Sequence, residues 1–341
     1  FWLKPFWPKR FWAKVLWLKP WWLKRAVGAT GGHPRPMAPL PHEPFLSDDV
    51  FAEFCPSGQP CSIPATEHRG ISLAQLVHVV DFVRRQTSEH GLIQTWSEEV
   101  ELQAANLYHL SPNLIVPATS QWACSFVELV AACREEQMPE FFVSHWWGEP
   151  VVHFVMCLQE FSEARRLERS VFWVCAYANN QHNLGADVST DPAQSSFRRA
   201  MDLSAGSVIV LDAEATPFTR VWCTFEIFTT LQGGRPLDIL TLVPGVFRGV
   251  QPEVREGRLW LRGARVEMIA DGILPADRDT RGRRVQVGHL TRPASPEDLK
   301  AEREARFPLN VAYRGLGVSV EQAAASVAAD RVHILNCIAG R

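Results

Sequence analysis

Four short apolar runs in the middle of the chain restrict its fold more than any other feature. They are Phe141-Phe142-Val143, Val171–Ala178 (VFWVCAYA), Ser207–Leu211 (SVIVL) and Leu237–Val243 (LDILTLV). Runs of this length, bounded by polar residues or proline, read as buried strands. The first ends in Ser144-His145-Trp146-Trp147-Gly148-Glu149-Pro150, the second in Asn179-Asn180-Gln181-His182, the third in Asp212 and the fourth at Pro244. Between them lie helical stretches at 151–168, near 195–204 and at roughly 217–231, the last closing on Gly233-Gly234. Glycine after a periodic segment is a helix stop signal. Buried strands alternating with helices specify a parallel sheet covered on both faces, an α/β fold. Ligands of such sheets bind beyond the carboxyl ends of the strands. Here Ser144, His145, the Asn179–His182 run and Asp212 fall at those ends.

The flanks have different signatures. Residues 28–66 are rich in Gly, Pro and Ser and read as loop. Ile71, Leu73, Leu76, Val77, Val80 and Val83 predict a helix over 71–86. Phe126, Leu129, Val130 and Cys133 predict another from Trp122 to Glu136. Residues 37–137 thus form a helical lead-in. Beyond 246, Arg258–Arg262 and Arg265–Ile269 straddle Gly263-Ala264 as a hairpin would. Ser295-Pro296-Glu297-Asp298 reads as a capped helix start, and Ser319 to Ala339 as a closing helix. Residues 246–341 form a small α+β extension.

Residues 1–36 are a separate object. Trp2, Trp7, Trp12, Trp17 and Trp22 recur every five residues, and Lys4, Lys9, Lys14, Lys19 and Lys24 keep the same period. Five matches neither the helix nor the strand repeat, so this is a low-complexity segment. Interleaved Trp and Lys suit an anionic membrane surface, which makes residues 1–25 candidates for weak membrane contact. The favoured reading is a tandem repeat carried into the gene, with Met37 as the start of the working protein.

Residues 1–36 hold eight basic residues and no acid, leaving 27 of the 35 basic residues against all 37 acids in the remainder, a net of −10. An acidic body gives nucleic acid no footprint. The eight cysteines contain no CxxC pair. Several sit in apolar runs, as reduced thiols do, so a reducing, cytoplasmic setting is expected. His145, His182, Cys175 and Cys223 could meet near the strand ends, but their spacing carries no ligand signature and no metal is expected.

Three segments in order resemble the TIR domain, the Toll, interleukin-receptor and plant-resistance family. Phe142-Val143-Ser144, followed by Gly148-Glu149, approximates the first strand and loop, F-L-S-F-R-G-E-D, with one extra residue between Ser and Gly. Phe197-Arg198-Arg199-Ala200-Met201 with Ser204, followed by SVIVL, is similar to L-x-x-A-I-x-x-S-x-x-x-I-x-V. Arg220-Val221-Trp222-Cys223-Thr224-Phe225-Glu226-Ile227 resembles S-x-W-C-L-x-E-L. The likeness spans about 138–245. The loop ANNQHNLGADVSTDPAQSS after the second run is longer than the family's and lacks its Arg-Gly.

The resemblance implies a flavodoxin-like parallel sheet with helices on both faces. It also implies a signalling or defence role and self-association into homo-oligomers. Some family members cleave NAD at the nicotinamide–ribose bond, with the helix glutamate of W-x-x-x-E as catalyst. The matching residue is Glu226, with NAD as substrate and no separate cofactor. One carboxylate suffices for that chemistry, because nicotinamide leaves neutral and the positive charge builds on the ribose. Trp222 lies one turn earlier on the same helical face. Ser144, His145, Trp146 and Trp147 stand where the family's first loop lines the pocket. Asn179 and Asn180 suit ribose or amide recognition and equally suit turns. Asp212 either meets the ligand or caps the next turn. Arg220 binds a phosphate or forms a salt bridge. Other members of the family only assemble, so a non-catalytic interaction module is the alternative, and a nucleotide sensor without turnover a third.

Overall fold

The computed structural model describes residues 48–88, 91–96, 98–184, 191–245, 250–317, 322–325 and 328–338. The Trp/Lys repeat and part of the long loop after the second apolar run lie outside the described residues. The fold is α/β, built on one mostly parallel six-stranded sheet in the order β1-β3-β2-β4-β5-β8. Its strands are β1 (Ile71–Ser72), β2 (Phe141–Ser144), β3 (Val171–Trp173), β4 (Gly206–Leu211), β5 (Leu237–Val243) and β8 (Arg265–Ile269). The four central strands run parallel, while β1 and β8 pair antiparallel at the two edges.

Strand alternation feeds the two faces. Phe141, Val143, Val208, Val210, Leu240 and Leu242 point into one core, with Val155, Leu158 and Phe161 of α3 (Val151–Arg165) and Val80 and Val83 of α1 (Leu73–Arg85). Their neighbours Phe142 and Trp173 point the other way, toward Phe225 of α6 (Val221–Gln232) and Met201 of α5 (Ser196–Leu203). Ile209, Leu211 and Ile239 join that second face beneath Val311 of α8 (Leu309–Gly317). Phe142 and Trp173 are fully buried and stack at 5.1 Å. Burying side chains of this size contributes about 1.5–3 kcal/mol each.

The helices begin where the sequence caps them. Ser72 accepts from the Gln75 amide, and the Gln75 side chain accepts from the Ser72 amide. Ser295 and Asp298 form the expected capping box on α7 (Pro296–Ala305). α6 ends at Gly233-Gly234, with Gly234 at φ +64. The closing helix, α9, is shorter than the expected Ser319 to Ala339: it spans Ala328–Ile338 and packs on α6, while residues 322–325 are not α-helical and Ala324 bridges to Arg220.

The structure departs from the sequence expectations in several further places: Ile71 and Ser72 of the expected helix pair as strand β1, and Asp48–Phe54 of the expected loop coil into a 3-10 helix. The uniformly apolar run Val171–Ala178 is a strand only to Trp173; Cys175–Ala178 coil into one helical turn, α4. An unbroken apolar run has no periodicity to separate the two states. The Trp122–Glu136 segment keeps helix only over α2 (Phe126–Val130), because Ala131 turns extended at ψ 127. The expected hairpin across Gly263-Ala264 does not form. The hairpin there instead joins β6 (Glu253–Arg255) to β7 (Arg258–Trp260) through Glu256-Gly257, both at positive φ as a tight hairpin turn requires. That frees β8 to cover the open edge of β5. Residues from both flanks therefore complete the central sheet. No helix among the described residues is long and apolar enough to cross a membrane.

Candidate active site

Beyond the carboxyl ends of the parallel strands lies a cavity of about 290 Å³. It opens beside β2, at the point where the chain steps to β3 on one side and later to β4 on the other. Such a reversal of strand order leaves a crevice between diverging loops. The loop after β2 supplies His145, Trp146 and Trp147. The turn after β3 supplies Cys175. Arg220, Trp222, Cys223 and Glu226 come from the start of α6, and Phe197 from α5. Tyr108 closes the ring from the lead-in segment.

The walls are aromatic. Trp147 lies 5.7 Å from Tyr108 between ring centroids, and its indole N–H points at the Cys175 sulfur at 3.3 Å. The Trp147 carbonyl accepts from the Leu107 amide, which fixes the lead-in against this loop. Opposite, Trp222 stacks on Phe197 at 5.0 Å and donates its indole N–H to Asp330 of α9 at 2.9 Å. The Trp146 ring folds over Gly148, where a Cβ would come within 2.3 Å of it. Glycine is required there by close approach.

The buried end is polar and largely unpartnered. Glu226 is 5% exposed, and its Oε2 makes no hydrogen bond. Burial pushes its carboxyl up to about 8, and the adjacent Ser144 hydroxyl tempers that rise without a hydrogen bond of normal length between them. Glu226 is therefore mostly protonated at neutral pH. Both ring nitrogens of His145 lack partners, and burial pulls its pKa down to about 4. The ring packs on Phe154 at 4.6 Å and stays neutral. Burial likewise pushes the Cys175 thiol up to about 12 and the Cys223 thiol well above its ordinary value. The cavity thus offers one carboxyl able to take a charge, set among aromatic rings and neutral groups, with Arg220 the cation on its lining.

Six of the ten residues singled out from sequence line this cavity: His145, Trp146, Trp147, Arg220, Trp222 and Glu226. Ser144 lies against Glu226 at the end of β2. The other three are placed elsewhere and brace the backbone around them, Asn180 reaching as far as the Ala123 carbonyl. Asn179 accepts from Ser196 Oγ at 2.9 Å and donates to the Cys175 carbonyl at 3.1 Å. Asn180 donates to the Ala123 carbonyl and accepts from the His182 amide. Asp212 accepts from both the amide and hydroxyl of Thr216, capping the turn after β4. Tyr108, Phe197, Cys175 and Cys223 were not singled out as binding residues. Tyr108 carries no local signal, whereas Cys223 sits inside the W-x-x-x-E segment itself. Among the described residues no group of three or more His, Cys, Asp or Glu is placed to hold a metal ion.

No family model, curated protein or solved structure matches the chain.

Proposed function

We propose that the chain is a TIR-like glycohydrolase that cleaves the nicotinamide–ribose bond of NAD or a related nucleotide, in a signalling or defence setting. Glu226 carries this reading: a buried carboxyl with an unpartnered oxygen, in an aromatic cavity at the strand-order reversal. The order β3-β2-β4-β5 supports it, since flavodoxin-like sheets share that arrangement.

In this reading the pyridinium ring enters between the aromatic walls, and its positive charge draws the Glu226 proton off to solvent. The C1′–N bond then breaks with its electron pair going to the ring nitrogen, so nicotinamide leaves neutral. The Glu226 carboxylate faces the oxocarbenium charge on the ribose and orients water toward C1′. The water oxygen forms the new bond and its proton passes to Glu226 or solvent, leaving ADP-ribose. Ser144 positions Glu226, and Arg220 meets phosphate. Trp222 fixes the helix that carries the glutamate. Self-association into a homo-oligomer and a cytoplasmic setting complete the proposal.

The test is nicotinamide release from NAD by the full chain at high protein concentration, beside Glu226→Gln. Turnover in the wild type that falls at least about 100-fold in the variant supports the assignment. Absence of turnover in a folded, self-associated wild type rejects it and leaves the non-catalytic assembly module.

A further inference from the structure

Four of the eight cysteines gather around α2, on the lead-in segment. Cys55 and Cys61 lie on the stretch that packs against this helix, and Cys124 and Cys133 flank its two ends. The two stretches are locked together. The Phe54 and Phe126 rings meet at 5.3 Å between centroids, the Cys61 amide donates to the Glu128 carbonyl at 2.8 Å, and the Ile63 amide donates to Glu128 Oε1 at 3.0 Å. Arg69 secures the same point: its Nε donates to the Ile63 carbonyl at 2.7 Å, and its guanidinium lies 3.4 Å from the Glu128 carboxylate. Cys61 is thus fixed against the end of α2. The chain leaves that helix through the extended Ala131, and Cys133 follows two residues later. Cys61 and Cys133 are both half-buried and all eight cysteines are free thiols. Burial pushes the Cys61 thiol up, and Cys133 adds to that rise ahead of Glu135 and Glu128, with Arg134 opposing. The second pair is less open: Cys55 is buried, and burial pushes the Cys124 thiol up to about 11.

We infer that Cys61 and Cys133 are a reversible disulfide site, a latch that ties the start of the lead-in to the chain approaching β2. The co-reactant is a low-molecular-weight disulfide. One protein thiolate attacks a sulfur of that disulfide, giving a mixed disulfide and one departing small thiolate. The second protein thiolate attacks the protein sulfur of the mixed disulfide, and the other small thiolate leaves. Two protein thiols are oxidised, the small disulfide is reduced to two thiols, and the two protons pass to the departing thiolates. Disulfides of this kind in a reducing compartment are transient and redox-sensing. The raised Cys61 thiol leaves no stabilised thiolate in the reduced form to resist oxidation. It also makes the exchange faster as pH rises. The inference rests on neither Glu226 nor turnover.

Redox titration of the folded full chain decides it. The chain is equilibrated at pH 8 in buffers running from reduced glutathione to glutathione disulfide, then alkylated, digested and mapped by mass spectrometry. A Cys61–Cys133 peptide is expected as the dominant cross-link, reversed by excess reduced glutathione. Its formation should raise Tm by several degrees, because the link closes a long loop. Cys61→Ser and Cys133→Ser should each abolish the link and the rise in Tm, while Cys124→Ser keeps both. Circular dichroism of the reduced variants, matching the wild type, shows that they are folded. Three results overturn the inference: mixed disulfides with glutathione alone, a dominant cross-link between any other two cysteines, or a Cys61–Cys133 link that forms only after unfolding in urea.

Discussion

Glu226 and Asp238 are both carboxyls at the central sheet, and both are almost fully buried. Their surroundings differ completely. Asp238, near the start of β5, is gripped by Arg165 through two hydrogen bonds of 2.6 and 2.8 Å and accepts from the Asp271 amide at 2.8 Å. Burial pushes its carboxyl up and the guanidinium pulls it back. Glu226 has burial with only the Ser144 hydroxyl to temper it. The first is a structural joint between α3 and β5. The second is a group held in an unfavourable state, as functional carboxyls are. Burial alone does not single out a candidate site; an unpartnered carboxyl oxygen beside a cavity does.

The comparison can be broken most forcefully at the joint. Arg165→Leu should destabilise the fold by about 3–5 kcal/mol, because it leaves the Asp238 charge buried and alone. Urea unfolding followed by circular dichroism measures this. The equivalent change at the other carboxyl should act oppositely. Glu226→Gln is expected to leave stability at pH 7 unchanged or raised, while nicotinamide release falls by about two to three orders of magnitude. A loss of stability similar to that of Arg165→Leu would place Glu226 among the structural carboxyls.

pH sharpens the contrast. The folded pKa of Glu226 is about 8, above that of an exposed glutamate near 4.5. The folded state therefore holds this proton more tightly than the unfolded state. The stability so gained is full below pH 4.5, declines as pH rises, and is gone above about 8. Of its neighbours, His145 titrates near 4 and the Cys175 thiol near 12, both outside this window, and the Cys223 thiol is raised; the buried Glu149 carboxyl is raised too and adds to the same decline. Glu226→Gln should lessen the wild-type decline between pH 5 and 8, leaving the part that the raised carboxyls of Glu149, Glu160 and Asp238 contribute, and kcat/KM for NAD should rise over the same range. Thermal unfolding and initial rates across pH check both. The smallest effect is expected from Asp330→Asn, which weakens the hydrogen bond holding Trp222. About 1 kcal/mol of stability and a modest rise in KM should follow.

The fold was legible where the chain repeats a simple rule. Short strands such as Leu237–Val243, stopped by Pro244, announce themselves, and so do glycine-terminated helices such as α6. The Ser295 cap was equally plain. Pairing partners were not. Nothing in Arg265–Ile269 says that it will cover the far edge of β5, because that depends on which edge stays open after the parallel strands assemble. The site divides in the same way. Glu226, Trp222 and the Ser144–Trp147 run were found because they lie in compact motifs at strand ends or on one helix. Tyr108 and Phe197 reach the cavity from segments far away in sequence, and an aromatic residue alone carries no address. Asn179, Asn180 and Asp212 lie at or near the strand ends, yet their side chains are committed to nearby backbone and hydroxyl groups, as short polar side chains after strands often are.

The closing segment has a consequence for time as well as for shape. Ala324 accepts from the Val221 amide at 2.9 Å and donates to the Thr219 carbonyl at 2.7 Å, while Asp330 holds the Trp222 indole. Three points within four residues of the cavity wall are thus tied to a strap about a hundred positions later in the chain. Trp222 cannot swing outward until that strap lets go. Any opening of the cavity by Trp222 therefore waits on the undocking of residues 322–325 and 328–338, a clock set apart from events inside the cavity.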